Sequence, residues 1–232
     1  MSEIIFNGKS SCKDFDAILV YFKPQPPTPQ VIKCTVPYMN GSYDFSSLYG
    51  EQTYSERKIL CKLDLVSESR IPLYIKYNEV LNWLLTDEKQ ILEYTEEPGI
   101  YYMAKIESVP SWDIISTCGI FEFEFIAYPF KFGKNYEGAD IWDEFNFEVD
   151  YLQNLNIHVN ESKDIKIYNP SSKKIVPSVI TDSEISVIKN NVTYKFNKGT
   201  TQDWRFSLEK GENKIKLQGN GNIEFKFRKE VF

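Results

Sequence analysis

Histidine is almost missing from this chain: His158 is the sole one in 232 residues. That scarcity disfavours His-based nucleophilic triads and histidine-ligated metal centres, which draw on imidazole chemistry. Phosphate loops of the GxxxxGK[ST] type, GxGxxG, HExxH, GxSxG and EF-hand patterns are missing too. The four cysteines, Cys12, Cys34, Cys61 and Cys118, are far apart, which excludes a CxxC metal or redox pair. They are expected to act as small buried hydrophobes. No apolar run approaches the ~18 residues needed to cross a bilayer. The first residues carry neither a basic flank nor a long apolar core, so no secretory signal is expected. No metal, cofactor, membrane or catalytic residue is therefore expected.

What the chain does have is sheet-forming material. Aromatic residues reach 15%, and aromatic side chains favour strands. In Gly119–Phe125, Phe121, Phe123 and Phe125 alternate with Glu122 and Glu124, so one strand face is apolar and the other charged. Ile223–Arg228 and Trp204–Leu208 repeat the pattern. Gly219-Asn220-Gly221-Asn222 reads as a hairpin turn. One helix is predicted, capped by Asn78 with Glu79 in its first turn and an apolar face of Val80, Leu81, Leu84 and Leu85. The fold class is mainly β, with an α+β N-terminal domain and a small antiparallel β-sandwich behind it.

Charge divides the chain. Residues 1–133 and 134–164 each carry a net charge of −6, and residues 165–232 carry +6. This predicts an N-terminal domain at 1–133, an acidic connector at 134–164 and a C-terminal domain at 165–232.

Two stretches resist assignment to strand or helix. Residues 24–29 (Pro-Gln-Pro-Pro-Thr-Pro) should be extended. Residues 38–55 are rich in Tyr, Ser and Gly. Tyr21, Tyr38, Tyr43, Tyr49 and Tyr54 lie in or near these stretches. Tyrosine offers contact area at low entropic cost, so Tyr38, Tyr43, Tyr49 and Tyr54 are the candidate oligomer interface. A loop without a partner is the competing reading.

Acid–base chemistry has weak candidates. Glu122 and Glu124 share a strand face, and Asp140, Asp143 and Glu144 cluster in the connector, as a glycosidase would need. Paired acids on a strand are common and mostly solvated, and no pair here is marked by an apolar pocket, so the surface reading is the expected one. Trp204 and Tyr194 would serve a carbohydrate-binding module, although aromatic side chains on a sandwich are more often core.

The order of several motifs resembles one family. Ile4-Ile5-Phe6-Asn7-Gly8-Lys9-Ser10-Ser11 with Asp14-Phe15 is similar to the opening of phage distal tail proteins (Dit). Pro26-Pro27-Thr28-Pro29, Val36-Pro37, Asn40-Gly41-Ser42, Tyr54–Ile59, Leu81-Asn82-Trp83-Leu84, Tyr101–Ala104 and Phe123–Phe130 follow in the family's order. Tyr38-Met39 departs from it, standing where relatives often have Gly-Arg. Asn169-Pro170, Val176–Ile180 and Gly211–Ile215 resemble the entry and a hairpin of the family's C-terminal sandwich.

The resemblance implies a split-barrel, tube-like ring domain with one helix, followed by a galectin-like β-sandwich. It implies a homo-hexameric ring at the tail tip of the virion, assembled in the host cytoplasm. Its partners would be the tail tube protein, a tail-tip or tail-associated protein and receptor-binding proteins. DNA would pass through the channel without specific binding. Another tail tube-like subunit and a carbohydrate-binding module are the alternatives.

Overall fold

A computed structural model describes residues 2–48, 50–108, 110–115, 117–138 and 152–232. The chain divides into two compact units, Met1–Lys131 with Phe232, and Phe132–Val231. The architecture is mainly β, with antiparallel sheets, a half-barrel and one main helix.

The first unit opens with β1 (Ile4–Phe6) and β2 (Lys9–Ser10), joined at Asn7-Gly8. Both turn residues have positive φ, 48° and 76°, as a two-residue hairpin of the type I′ class requires. Helix α1 (Ser11–Phe15) follows, and the Ser10 hydroxyl caps it by accepting from the Lys13 N–H at 3.0 Å. Then come β3 (Ala17–Pro24), β4 (Lys33–Cys34), β5 (Tyr43–Asp44) and β6 (Arg57–Val66). Helix α2 (Arg70–Leu84), β7 (Gln90–Tyr94), β8 (Ile100–Ile106), β9 (Ser111–Ile115) and β10 (Cys118–Ala127) complete it. The strand order is β2-β1-β7-β8-β10-β6-β3, with β9 beside β10.

The phenylalanine alternation of β10 builds the core. Phe121, Phe123 and Phe125 face inward, opposite Leu63, Cys61 and Ile59 of β6. Their rings stand 5.3 Å apart in succession, and Phe6 approaches Phe125 at 5.0 Å. Each buried ring contributes about 1.5–3 kcal/mol of transfer free energy. On the opposite face, Glu122 pairs with Lys62 at 3.1 Å and Glu124 with Lys58 at 2.8 Å.

Helix α2 covers the core through Leu73, Tyr77, Val80, Trp83 and Leu84. The Trp83 indole N–H donates to the Phe6 carbonyl at 2.8 Å, and its ring stacks on Phe15 at 4.5 Å. The helix starts eight residues before the expected Asn78 cap. Ser69, in extended conformation, is the N-cap, and Asn78 lies mid-helix. Pro72 fits because it sits in the first turn, where its missing N–H costs nothing. Leu85 ends the helix and is half exposed instead of sharing the core face.

The second unit contains β12 (Asn156–Asn169), β13 (Ser178–Thr181), β14 (Ile185–Lys189), β15 (Val192–Phe196), β16 (Gly199–Thr201) and β17 (Gly211–Lys226). Short strands β11 (Lys131–Gly133) and β18 (Glu230–Val231) flank these in sequence. The order is β15-β14-β17-β13-β16, with β12 along β17. Residues 156–164 of the expected connector lie in β12, and residues 139–151, with Asp140, Asp143 and Glu144, fall outside the described residues.

Gly219–Asn222 is not a hairpin turn. It lies inside β17, which pairs with β12 continuously from Gly211 to Glu224. On its other side β17 changes partner, from β14 at Gly219 and before to β13 at Ile223 and after. The change needs a bend. Gly219 and Gly221 supply it with φ of 137° and 143°, and a Cβ at Gly219 would lie 2.9 Å from the Glu184 carbonyl oxygen. Trp204–Leu208 is also not a strand. Trp204 and Arg205 form a turn, and only Leu208 bridges, to Ile175. The Asp203 side chain holds that turn by accepting from the Arg205 backbone N–H and guanidinium.

Candidate assembly interface

Strands β3 and β6 are the two sides of one hairpin, and residues 25–56 extend it beyond the sheet. The register of the hairpin continues as far as Gln30 and Thr53, beyond which the pairing of β4 with β5 is shifted by six residues. Pro24 pairs with Ile59, Gln25 N–H donates to Lys58 O at 2.8 Å, Ser55 N–H to Thr28 O at 2.9 Å and Gln30 N–H to Thr53 O at 2.8 Å. The prolines at 24, 26, 27 and 29 sit between the donating positions, so the ladder survives them. Farther out, β4 and β5 pair Lys33 with Asp44 and Cys34 with Tyr43, and Phe45 N–H donates to Ile32 O. The Asp44 carboxyl accepts from the Ser46 hydroxyl and N–H, which holds it below its ordinary pKa. From Pro24 to Cys34 the ribbon spans about 33 Å at ~3.3 Å per residue.

Among the described residues, no layer lies above or below this arm. Val31 is 60% exposed, Ile32 58% and Leu48 65%; Val36, Tyr43 and Phe45 are also exposed. A two-stranded ribbon alone in water is marginally stable at best. Exposed apolar side chains concentrated on such a ribbon are the signature of a contact surface.

The candidate tyrosines do not act alike. Tyr38 is fully exposed at the tip, with φ of 65°, beside the turn closed by Met39 N–H to Val36 O. Tyr43 lies on β5, its ring 6.2 Å from Phe45. Tyr54 lies at the base, bridged to Pro29, with its ring edge-on to Phe130 at 5.7 Å and Phe232 at 5.0 Å. Tyr54 is therefore anchored inside its own unit. Tyr49 lies outside the described residues. Tyr21 is on β3 under the Lys23 ammonium, 4.6 Å from the ring centre. The structure thus brings Tyr38 and Tyr43 together on the arm and adds Val31, Ile32, Phe45 and Leu48. The short apolar pair Val31-Ile32 and the lone Phe45 were the sequence signal for these additions.

A second exposed apolar surface lies on α2, on the side away from the core. Ile71 is 75% exposed, Tyr74 51% and Ile75 56%. Their spacing of three and four residues puts them on one helical face.

The other candidate groups have structural tasks. Glu122 and Glu124 are each ion-paired to a lysine on the neighbouring strand β6. His158 lies exposed on β12, its Nδ1 2.9 Å from Asn222 Oδ1, beside the bend of β17. Asn222 in turn donates from its N–H and side-chain amide to Asp182 at 2.7 Å each. Tyr194 packs on Phe206 at 5.2 Å, whereas Trp204 is 81% exposed, so the two form no common sugar platform.

The cysteine expectation holds only for Cys61, which is buried with its thiol pKa pushed up by desolvation. Cys34 and Cys118 are exposed and Cys12 is half-buried. Cys34 lies on the exposed strand β4 of the arm, and Cys118 faces outward at the start of β10. Among the described residues no cluster of His, Cys, Asp and Glu is arranged to hold a metal, and no helix is long and apolar enough to cross a membrane.

Residues 13–127 match the phage tail protein RIFT-related domain. No curated protein matches the sequence. Among solved structures, the chain is similar to the Dit protein of SPP1, described as a paradigm of the hub adsorption apparatus in phages infecting Gram-positive hosts. The TM-score is 0.64 at 11% identity, covering 98% of this chain and 99% of that one, which shows a shared fold over the whole length. A chain of the phage p2 baseplate in its activated conformation also matches, with a TM-score of 0.42, 12% identity and coverage of 98% and 97%. The family match and the fold shared with the SPP1 Dit protein agree with the resemblance to distal tail proteins read from the sequence.

Proposed function

We propose, for a chain whose residues 13–127 belong to the phage tail protein RIFT-related domains, that it is a distal tail protein forming a homo-hexameric hub ring at the tail tip. The observation that carries this reading is the arm: an exposed apolar ribbon on a tail-protein domain, marginal by itself, requires a neighbour. The role is structural, without catalysis or cofactor.

In this reading the ring joins the tail tube to the baseplate and receptor-binding apparatus. The first unit forms the ring and continues the channel. The second unit, with its basic C-terminal third, docks tail-associated and receptor-binding proteins. Six copies at −6 each carry −36, which disfavours adhesion of DNA passing through. The protein is a component of the virion and assembles in the host cytoplasm.

Light scattering on the purified full chain, with negative-stain images of the same peak, tests the proposal. A closed six-fold ring at six times 27.1 kDa supports it. Open stacks of rings would favour a tube-type subunit. A 27.1 kDa monomer at every concentration would remove the ring from this chain's own properties.

A further inference from the structure

Helix α2 is apolar on two sides. Leu73, Tyr77, Val80 and Leu84 repeat on the face that packs into the core. Ile71, Tyr74, Ile75 and Leu85, all at least half exposed, repeat on the opposite face, with Asn78 and Asn82 between them. The charged residues Arg70, Lys76 and Glu79 lie on the flanks, away from the centre of that outer face. A helix with apolar residues on both faces is one that is covered on both. Among the described residues of its own unit, nothing covers the outer one.

The arm is the matching half. Its Val31, Ile32, Phe45 and Leu48 are exposed while Ile71 and Ile75 are exposed too, so arm and helix of one chain do not cover each other. A head-to-tail ring needs two different surfaces on each copy, one giving and one receiving. From this, and resting on the ring reading above, we infer that the outer face of α2 receives the apolar arm of a second copy of this chain.

Charge is compatible with this pairing. Lys33 stands opposite Asp44 on the arm; on α2, Lys76 is held by Asp16 at 2.9 Å and Arg70 and Glu79 lie on the flanks, so the centre of the docking face carries no charge. The outer face of the sheet is a poorer receiver. Its apolar positions are interrupted by the Lys62–Glu122 and Lys58–Glu124 pairs and by Asp64, whose Oδ1 is buried without a hydrogen-bond partner. Docking a ribbon there would bury those charges at a cost that the α2 face does not impose.

A mixing experiment tests the inference. In one full-length variant Ile71→Glu and Ile75→Glu spoil the helix face and leave the arm intact. In another, Val31→Glu and Phe45→Glu spoil the arm and leave the helix face intact. All four positions are exposed, so unchanged circular dichroism and melting temperature certify folding. Each variant alone should lose self-association, with its midpoint concentration raised about a hundredfold or more, as loss of two central apolar contacts produces. Mixed together, the two should form a one-to-one pair of twice 27.1 kDa, because one intact arm meets one intact helix face. If the helix variant associates as the unaltered chain does, α2 is not the receiver, and the ring reading survives without it. If the mixture stays monomeric although the unaltered chain forms rings, the pairing of these two surfaces is wrong. If the unaltered chain itself never associates, the ring reading falls, and this inference with it.

Discussion

Replacing Gly219 by alanine should destabilise the second unit far more than an ordinary glycine substitution. Gly219 has φ of 137°, which L side chains rarely adopt, and its added Cβ would meet the Glu184 carbonyl oxygen at 2.9 Å and Ile185 Cα at 3.4 Å. The dihedral penalty is about 1–3 kcal/mol. The contact is with backbone on the neighbouring strand, where β14 is pinned to β17 by the Ile185–Gly219 pairing, so relief requires moving a strand. Overpacking of this kind adds about 1–3 kcal/mol. The sum, roughly 3–4 kcal/mol, corresponds to a fall of at least ~12 °C for a unit of about a hundred residues. Gly199 is the control. Its φ is 120°, but a Cβ there meets nothing within 4 Å, so alanine costs the dihedral share alone. Calorimetry on the full chain should show the transition of the second unit lowered in both variants, and at least twice as far for Gly219→Ala. Equal shifts would refute the claim that close strand approach fixes this glycine. A shift under ~2 °C at Gly219 would refute the bend itself.

Trp83→Phe should cost about 1–3 kcal/mol beyond the lost ring volume, because the buried Phe6 carbonyl loses its indole donor; urea unfolding measures it. Alkylation read by mass spectrometry should modify Cys34 and Cys118 in the native protein and reach Cys61 only after unfolding. Hydrogen bonds from the Asn222 N–H and side chain depress the Asp182 pKa below its ordinary 3.8. A carboxyl depressed on folding stabilises above its unfolded pKa and loses that contribution as pH falls through its folded value. Melting curves of the second unit should therefore drop below pH ~4, and more shallowly in Asp182→Ala, which lacks this titration. Trp204→Ala, at an exposed turn, should shift stability by no more than ~0.5 kcal/mol.

The inner face of β10 was legible because Phe121, Phe123 and Phe125 face the core while Glu122 and Glu124 face away from it, and that contrast is what periodicity reports. The start of α2 was not. With apolar residues at 71, 74 and 75 outside and at 73, 77 and 80 inside, the segment has little contrast around its axis, so only its second half, from Val80, was visible. Gly219-Asn220-Gly221-Asn222 has the composition of a turn, but the two glycines serve a bend where one strand exchanges neighbours. Only the tertiary partners of β17 distinguish those uses. Tyr54 and Tyr43 look alike in the sequence. Phe130, far along the chain, makes one an anchor, and the other, with no second layer over it among the described residues, stays exposed.

Strand β17 also sets the timetable of the second unit. It pairs with β12, β13 and β14, and residues 170–210 separate the two members of its first rung with β12, Asn169 and Gly211. During synthesis β12 emerges first and waits for a partner made last. Loop closure over such a separation is slow, and it is complete only once Lys226 has been added. The β3–β6 hairpin and its arm are finished more than a hundred residues earlier. A nascent chain therefore displays its arm while its second half is still unpaired, and the exposure of β12 in that interval is where misfolding would begin.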